Sequence, residues 1–459
     1  MHLLTLAQQH IYGFEGRTAE TIFIGGFGAL VLVAMLVLKM SFRNWVLAAT
    51  LFVTCLAPSV DDILVQYNPT WMLWAQVNHA NLHLVLGILL TLLVAVTGGA
   101  AVRTLSAQSV LLFLMAFYAG TLQFIHEDAK AALQAIGFAI ATIPCFGAAI
   151  SMSSRNHDNC VNLLRMMMWV SIAWTFCCSV QFVINPKYLV SYQGRFFGVL
   201  GNAQHAAALT APMAIIAIWL LLHDPSRRSK ILWVALIAIN LLFLGWSGSR
   251  TGGLMFMVGL MAVLYSRIGK AILLLPIAAV LFWILASLAT ELQIGANLER
   301  FVSTANTRDW VWTGMLQAAF ENPLIGIGWR GGELGTENSY LGALSAYGII
   351  YFLLTMTLLT VSVWQCINFN LRKRWLRPEQ RAIVDIFTAF NAMFFAGALF
   401  EGYILARSFI PQLMLLTFAG IGVWIRDEIA HNQEHAYDYM HPHEPSEYGE
   451  LDAGSLAHE

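Results

Sequence analysis

Long uninterrupted apolar runs constrain this chain more than any other feature of its sequence. A helix that crosses a bilayer needs about 20 apolar residues, and thirteen runs reach or approach that length. They are continuous rather than alternating, so the strands of a membrane barrel are not expected. The sequence therefore predicts an all-α polytopic membrane protein with about 12–13 transmembrane helices. The runs lie near residues 22–39, 44–58, 83–101, 108–125, 131–152, 166–184, 204–222, 231–247, 252–266, 271–290, 340–366, 383–402 and 409–425.

The composition agrees with lipid as the solvent of the chain. Hydrophobic residues make up 58% and charged residues 11%, whereas soluble domains carry roughly 25% charged residues. We expect residues 1–430 to form a single transmembrane domain. Residues 431–459 are polar and rich in histidine, and they predict a disordered tail rather than a metal site, because the histidines lack a regular ligand spacing. The formal net charge of -1 gives no reason to expect a nucleic-acid partner.

Lysine and arginine residues predict the orientation, since inner loops are enriched in both. If the loop with Lys39 and Arg43 is cytoplasmic, alternation places sixteen of the 25 Lys and Arg residues inside. The strongest anchor is "LRKRWLRPEQR" at 371–381. This topology puts the C-terminus in the cytoplasm and the N-terminus outside. Nine basic residues stay on the outer face: Arg17, Lys130, Lys187, Arg195, Arg250, Arg300, Arg308, Arg330 and Arg407.

Two of these outer arginines stand in short glycine-rich segments. Arg195 lies in "SYQGRFFGVLGNAQH", where Asn202 follows two glycines, and Arg250 lies in the tight turn "LGWSGSRTGGL". Glycine lets a backbone break or approach a ligand closely, and a turn needs glycine but does not need arginine. Each arginine is therefore a candidate for binding an anion. The alternative is an arginine that extends to the lipid headgroups.

One long outer segment, about 291–337, has enough length and chemistry to form a lid or the wall of an active site. Arg308 precedes the amphipathic stretch 310–320, which predicts a helix lying on the membrane surface. "ENPLIGIGWRGG" then predicts a glycine-rich turn that includes Arg330, and "TENSY" leads back into the membrane. Glu337 stands at the entrance of that next apolar run. A carboxylate there is costly unless it has water, a partner or a function.

These outer segments, taken in order, resemble the bacterial O-antigen ligase and O-antigen polymerase superfamily. "RFFGVLGNAQHAAAL" is similar to its Arg-x-x-Gly-x-x-x-Asn segment, and "SGSRTGGL" is similar to its Ser-Arg turn. "RDWVWTGMLQAAFENPLIGIGW" followed by "ENSYLGALSAYG" resembles its long loop, in which a Pro-Leu-x-Gly-x-Gly turn leads to a His-Asn pair. The resemblance covers roughly residues 195–355.

The resemblance implies a GT-C-like membrane glycosyltransferase of the bacterial inner membrane, with its active site facing the periplasm. Such an enzyme takes a glycan from an undecaprenyl-diphosphate carrier and passes it to a glycan or glycolipid acceptor. It implies no metal and no cofactor. Because the planar guanidinium group binds phosphate oxygens well, Arg195 and Arg250 are candidate catalytic residues that hold the diphosphate. Candidate substrate-binding residues are Arg308, Asn202, Asn338 and Arg330.

Glu337 is the position at which this chain departs from the family pattern. The resemblance implies a histidine there as the base for the acceptor hydroxyl, and here a glutamate precedes the expected Asn338. A carboxylate can serve as a general base, so Glu337 is the third candidate catalytic residue. Its alternative is a purely structural ion pair with an outer arginine such as Arg330.

Other functions stay open at this point. The exchange of histidine for glutamate favours a polymerase of O-antigen or exopolysaccharide over a ligase that acts on lipid A core, and a protein acceptor is a further option. A flippase or transporter of the same lipid-linked glycans is the alternative from another class. Transporters, however, place charge near the middle of the membrane. A membrane scaffold would leave the outer arginines unexplained.

Overall fold

The computed structural model describes residues 41–56, 75–76, 78–96, 105–126, 129–190, 194–269, 308–328, 337–405 and 410–440. Helices dominate these ranges, and the extended structure within them is an isolated bridge between Val190 and Phe196. We number the α-helices in chain order. They are α1 Phe42–Cys55, α2 His79–Val96, α3 Ala107–Ile125, α4 Ala129–Gly137, α5 Ile143–Ser153, α6 His157–Ile184, α7 Ala203–His223, α8 Arg227–Ser247, α9 Arg250–Ile268, α10 Asp309–Glu321, α11 Ser339–Arg372, α12 Pro378–Ala398 and α13 Ile410–Met440.

The predicted apolar runs coincide with helices wherever the structure describes them. The runs 22–39 and 271–290 lie outside the described residues, and each of the others falls on one or more of the helices above. Seven of the described helices are long and apolar enough to cross a membrane, namely α3, α6, α7, α8, α9, α11 and α12. The all-α prediction is confirmed in the described residues, and their seven membrane-length helices agree with a polytopic membrane protein. The number of 12–13 transmembrane helices and the GT-C-like class stay predictions.

The core of the bundle consists of α7, α12 and the first part of α13. Residues 410–425 of α13 are buried throughout, and α7 packs against α8, α9 and α12. Trp219 of α7 donates from Nε1 to the carbonyl oxygen of Ala382 in α12 at 2.7 Å. The middle of α7 and the first part of α13 are apolar on all sides, as expected of helices that are covered by protein rather than by water.

The predicted span at 131–152 is not one regular helix. It consists of α4, a π-helical turn Phe138–Thr142 and α5, which has Pro144 in its first turn. Proline has no backbone N–H and crowds the preceding turn, and a π-helical turn is a common way to accommodate such an interruption.

A break at Gly348 interrupts α11, whereas the apolar run 340–366 predicts one continuous span. Gly348 has φ 76° and ψ −172°, a conformation that only glycine adopts readily. The turn 323–328 binds the opened backbone: Ile327 N donates to Ser345 O at 2.9 Å, and Ile349 N donates to Pro323 O at 2.8 Å. The break thereby fastens the chain after α10 to the first turns of α11.

The last helix extends beyond the predicted boundary of the transmembrane domain at residue 430. It continues to Met440, so the first residues assigned to a disordered tail are helical. Asn432 donates from Nδ2 to the carbonyl oxygen of Trp375 at 3.0 Å, and Gln380 donates to Glu428 at 2.7 Å. These contacts hold the polar part of α13 against the start of α12. Residues 441–459 lie outside the described range.

Charged residues segregate to the two ends of the bundle. The loop between α7 and α8 contains Asp224, which pairs with Arg165 at 3.2 Å, and Lys373 pairs with Asp385 after the end of α11. The opposite ends of the same helices contain the outer segments singled out by sequence. The charged side chains named here lie at or near the helix ends, and the orientation of the bundle in a membrane stays a prediction.

Candidate active site at one end of the bundle

The candidate site lies where α7, α9, α10 and α11 begin. Three of these helices start with an N-cap side chain: Asn202 caps α7, Ser249 caps α9 and Asn338 caps α11. The N-terminus of a helix carries a partial positive charge and unpaired N–H groups. Several such ends in one region favour an anionic ligand when cationic side chains accompany them.

The two asparagines predicted to bind substrate have a clear structural role. The Asn202 side-chain oxygen accepts from Gln204 N at 2.8 Å and from His205 N at 3.3 Å. The Asn338 side-chain oxygen accepts from Tyr340 N at 2.9 Å and from Leu341 N at 3.0 Å. Such caps stabilise a helix by about 1 kcal/mol. Their contact with substrate stays a prediction.

Arg195 is attached to the turn that carries Arg250. Arg195 Nε donates to the carbonyl oxygen of Ser247 at 2.8 Å, and the neighbouring Phe196 N donates to Trp246 O at 3.2 Å. Arg250 is the first residue of α9 and is exposed. Arg195 and Arg250, the two predicted ligands of the diphosphate, thus both lie at the turn where α8 ends and α9 begins.

The turn between α8 and α9 can be this tight because of two glycines. Gly248 closes α8 with φ 59°, in the left-handed region that favours glycine. Gly252 lies against Ala207 of α7, where an added Cβ would meet the alanine Cβ at 2.6 Å. The glycines therefore bring the backbone around Arg250 directly onto the first turns of α7.

Arg308 is the centre of the charged cluster. It lies at the N-cap position of α10, and its Nε is 3.2 Å from Oε2 of Glu337. Its Nη2 donates to Oε1 of Glu401 at 3.0 Å. The Arg308 guanidinium carbon also lies 5.6 Å from the centre of the Phe400 ring, within the range of a cation–π contact.

The two carboxyl groups beside Arg308 differ in their surroundings. The side chain of Glu337 is 32% exposed, whereas that of Glu401 is 4% exposed. Glu337 Oε2 has no hydrogen-bond partner among the described residues, because its contact with Arg308 is an ion pair without hydrogen-bond geometry. Oε2 is itself buried against Arg308, so solvent or a ligand reaches Glu337 through the exposed remainder of its side chain and not through Oε2.

Burial raises the pKa of Glu401 to about 8, and the opposing effect of Arg308 only partly offsets this rise. The negative charge of Glu337 acts in the same direction as burial. Desolvation favours the neutral form of a carboxyl group. A buried carboxyl group with a raised pKa beside a specific charge partner is a pattern typical of functional sites.

Glu401 is the residue that sequence reasoning missed. It lies in the connection between α12 and α13, whereas the sequence analysis placed it at the end of the predicted span 383–402. Its signal was available: "LFEGYILAR" places a single acid between two apolar runs, on the same predicted face as Arg195 and Arg250. Pairing the outer cations with outer acids would have found it.

An ion pair of Glu337 with an outer arginine, which is the structural alternative to a catalytic role, is present: Glu337 pairs with Arg308. Arg330, the arginine given as the example of such a partner, lies outside the described residues. The predicted helix at 310–320 exists as α10, with Trp310 and Phe320 largely exposed. Its exposed aromatic side chains suit a membrane surface.

Comparison with protein-family models finds no match, and comparison with curated proteins finds no significant match.

Proposed function

We propose that this protein is a glycosyltransferase of the O-antigen ligase/polymerase type. It moves a glycan from an undecaprenyl-diphosphate carrier to an acceptor hydroxyl, at the periplasmic face of a bacterial inner membrane. The observation that carries the proposal is the contact of Arg308 with the partly exposed side chain of Glu337. This pair lies at the same end of the bundle as Arg195 and the Arg250 turn.

The arginines stabilise the leaving group in this reaction. When the bond between the anomeric carbon and the carrier oxygen breaks, the undecaprenyl diphosphate leaves with additional negative charge. Guanidinium groups placed where this charge develops lower the barrier, and they remain charged when partly desolvated. Arg195 and Arg250 are assigned to the diphosphate, and the helix N-termini beside them add to the positive potential.

Glu337 activates the acceptor hydroxyl in this reaction. Its carboxylate takes the proton of the acceptor hydroxyl while the hydroxyl oxygen forms the new bond to the anomeric carbon. Attack from the side opposite the carrier inverts the configuration at that carbon. The proton then passes from Glu337 to water, which its partly exposed position allows. Arg308 orients the carboxylate, since it is fixed on its other side by Glu401 and Phe400.

The acceptor distinguishes two enzymes with the same chemistry. A polymerase transfers the glycan to another repeat of O-antigen or exopolysaccharide, and a ligase transfers it to lipid A core or to a protein. We favour the polymerase because Glu337 stands where the resemblance implies a histidine. Deletion of the gene separates the two: single repeats still attached to their acceptor mean a polymerase, and polymer left on the carrier means a ligase.

A flippase or transporter of lipid-linked glycans is the second candidate. A transporter is expected to line its path with charge near the bilayer midplane. No Asp, Glu, Lys or Arg stands in the central turns of α7, α8, α9 or α11, which favours the transferase. In deletion cells, carrier-linked repeats confined to the cytoplasmic leaflet would instead indicate the flippase.

A further inference from the structure

Glu401 contacts the candidate site from its protein-covered side. Its carboxyl oxygen Oε1 accepts from Arg308 Nη2 at 3.0 Å, while Glu337 meets the same guanidinium group at Nε. Because 4% of the Glu401 side chain is exposed, this group does not face a substrate. A buried carboxyl group that accepts a hydrogen bond from a guanidinium group fixes the direction of the arginine.

Glu401 also ties together the segments that carry the other candidate residues. Thr251, which follows Arg250 in the chain, donates from Oγ1 to Glu401 Oε1 at 3.4 Å. The carbonyl oxygen of Glu401 accepts from Ser339 Oγ at 2.6 Å, and Ser339 stands two positions after Glu337. One residue therefore contacts the starts of α9, α10 and α11.

The neighbours of Glu401 restrict Arg308 further. The Phe400 ring covers the guanidinium group at 5.6 Å, and Trp312 of α10 lies 6.4 Å from the same ring. Ile404 N donates to Ser339 Oγ at 3.2 Å, which holds the 401–405 turn against α11. Arg308 is thus enclosed by an aromatic ring on one side and by two carboxyl groups on others.

We propose that Glu401 is a positioning residue of the site, which aims Arg308 at Glu337 and links both to the Arg250 turn. This rests on the proposed function, since it assigns Glu401 to the same reaction. Glu401 takes no part in bond making or breaking and acts through Arg308. Glu401 keeps the base in register with the cations that bind the diphosphate, and a displacement of about 1 Å in such an arrangement can cost about 100-fold in rate.

The protonation of Glu401 gives this role a distinctive pH dependence. The ionisable groups that face it are Arg308, Glu337 and Tyr403, whose buried hydroxyl group has a pKa well above the usual value. Below its pKa of about 8, the carboxyl group is neutral and Arg308 balances the charge of Glu337. Above it, a second carboxylate competes for Arg308, so activity should decline at alkaline pH.

The test uses the full-length protein, purified in detergent and reconstituted with an undecaprenyl-diphosphate-linked repeat and acceptor. Glu401→Ala is expected to lower kcat about 100-fold with a smaller change in the KM for the donor. Glu401→Gln keeps the shape and is expected to retain most activity but to lose the alkaline decline. Glu428→Gln at the opposite end is the matched control, because Glu428 likewise accepts a side-chain hydrogen bond.

Two results would overturn the proposal. One is wild-type kcat in Glu401→Ala while Glu337→Gln is inactive, which would leave the proposed function intact. The other is an identical pH profile in Glu401→Gln and the wild type, and this comparison decides the question if Glu401→Ala does not fold. Full activity in Glu337→Gln and in Arg250→Ala would instead contradict the proposed function itself.

Discussion

Arg308 Nε lies 3.2 Å from Glu337 Oε2, so the first turn of α10 meets the residue that precedes the cap of α11. The pair is partly exposed on the Glu337 side and backed by buried Glu401 on the other. Arg308 contacts one partly exposed and one buried carboxyl group. This arrangement is better explained by a role in orienting a base than by a role in keeping the surface soluble.

Glu337 is expected to be the base of the reaction. Glu337→Gln should lower kcat by about 100-fold or more, since a positioned base contributes about 10²–10⁴ to the rate. Glu337→His should restore part of the activity, because imidazole is also a base. Histidine side chains ordinarily titrate at higher pH than glutamate side chains, so the acid limb of the rate profile should move to higher pH. Initial rates of transfer between pH 4.5 and 8.5 check this. An unchanged acid limb in Glu337→His would argue against a role as base.

Arg195 and Arg250 are expected to bind the diphosphate through paired N–H groups. Arg250→Lys keeps the charge but loses the planar fork, and we expect about a tenfold or larger loss of kcat/KM for the donor. Arg195→Ala should lose more, because its Nε also holds the Ser247 carbonyl. Arg267→Ala is the matched control: Arg267 donates to the Leu222 carbonyl at 3.0 Å, at the opposite end of the bundle. Donor titrations on the purified variants measure the effect, and equal losses at Arg195 and Arg267 would indicate a general structural defect.

Arg308→Ala should destabilise the fold as well as impair activity. Above a pH of about 8, where Glu401 is ionised, the substitution leaves this carboxylate buried without its cationic partner, and the loss of one member of a buried ion pair costs about 3 kcal/mol. The double variant Arg308→Ala with Glu401→Gln should recover much of that stability, because the buried charge is then absent. Thermal unfolding in detergent at about pH 9, above the pKa of Glu401, measures both. Additive effects of the two substitutions would show that the pair is not coupled.

Glu401 also makes the stability of the fold depend on pH. Its folded pKa of about 8 lies above the ordinary value of 4.5, so the folded state binds the proton more tightly than the unfolded state does. The contribution of Glu401 to stability is therefore largest at low pH and is lost as the pH rises through about 8. Glu401→Gln should show a smaller decline in melting temperature between pH 5 and pH 9 than the wild type. An equal decline in both proteins would contradict this assignment.

The break in α11 is expected to be essential for the position of α10. A Cβ on Gly348 would lie 2.2 Å from the Leu324 carbonyl oxygen, and a Cβ on Gly326 would lie 2.4 Å from Ala346 backbone atoms. Gly348→Ala and Gly326→Ala should each destabilise the protein by about 2 kcal/mol or more, since the backbone is also held at positive φ. Gly137→Ala is the control, as nothing lies within 4 Å of an added Cβ there. Melting temperature and limited proteolysis would show the difference.

Sequence reasoning located the described helices well, because an apolar run of membrane length has few alternatives to a helix. It could not find the break at Gly348, since one glycine in an apolar run leaves the hydropathy unchanged. The break depends on the turn 323–328, which supplies hydrogen bonds to the opened backbone. The helical extension of α13 to Met440 depends in the same way on tertiary contacts, those of Glu428 and Asn432.

The arginines of the candidate site could be predicted from the sequence, but the ion pairs that they form could not. The positive-inside bias made Arg195, Arg250 and Arg308 conspicuous, because each stands against it. The position of Arg308 beside Glu337 depends on the path of a long connection, which the sequence does not define. Glu401 was missed because its neighbours are apolar and a search for outer cations does not consider acids.

The most direct test of the central claim is transfer by the purified protein itself. The protein is reconstituted with a radiolabelled undecaprenyl-diphosphate-linked glycan and its acceptor, and both the released carrier and the anomeric configuration of the product are measured. The account predicts stoichiometric release of undecaprenyl diphosphate, an inverted linkage, and loss of both in Glu337→Gln. Movement of intact lipid-linked glycan across the proteoliposome membrane, with no carrier released, would contradict it.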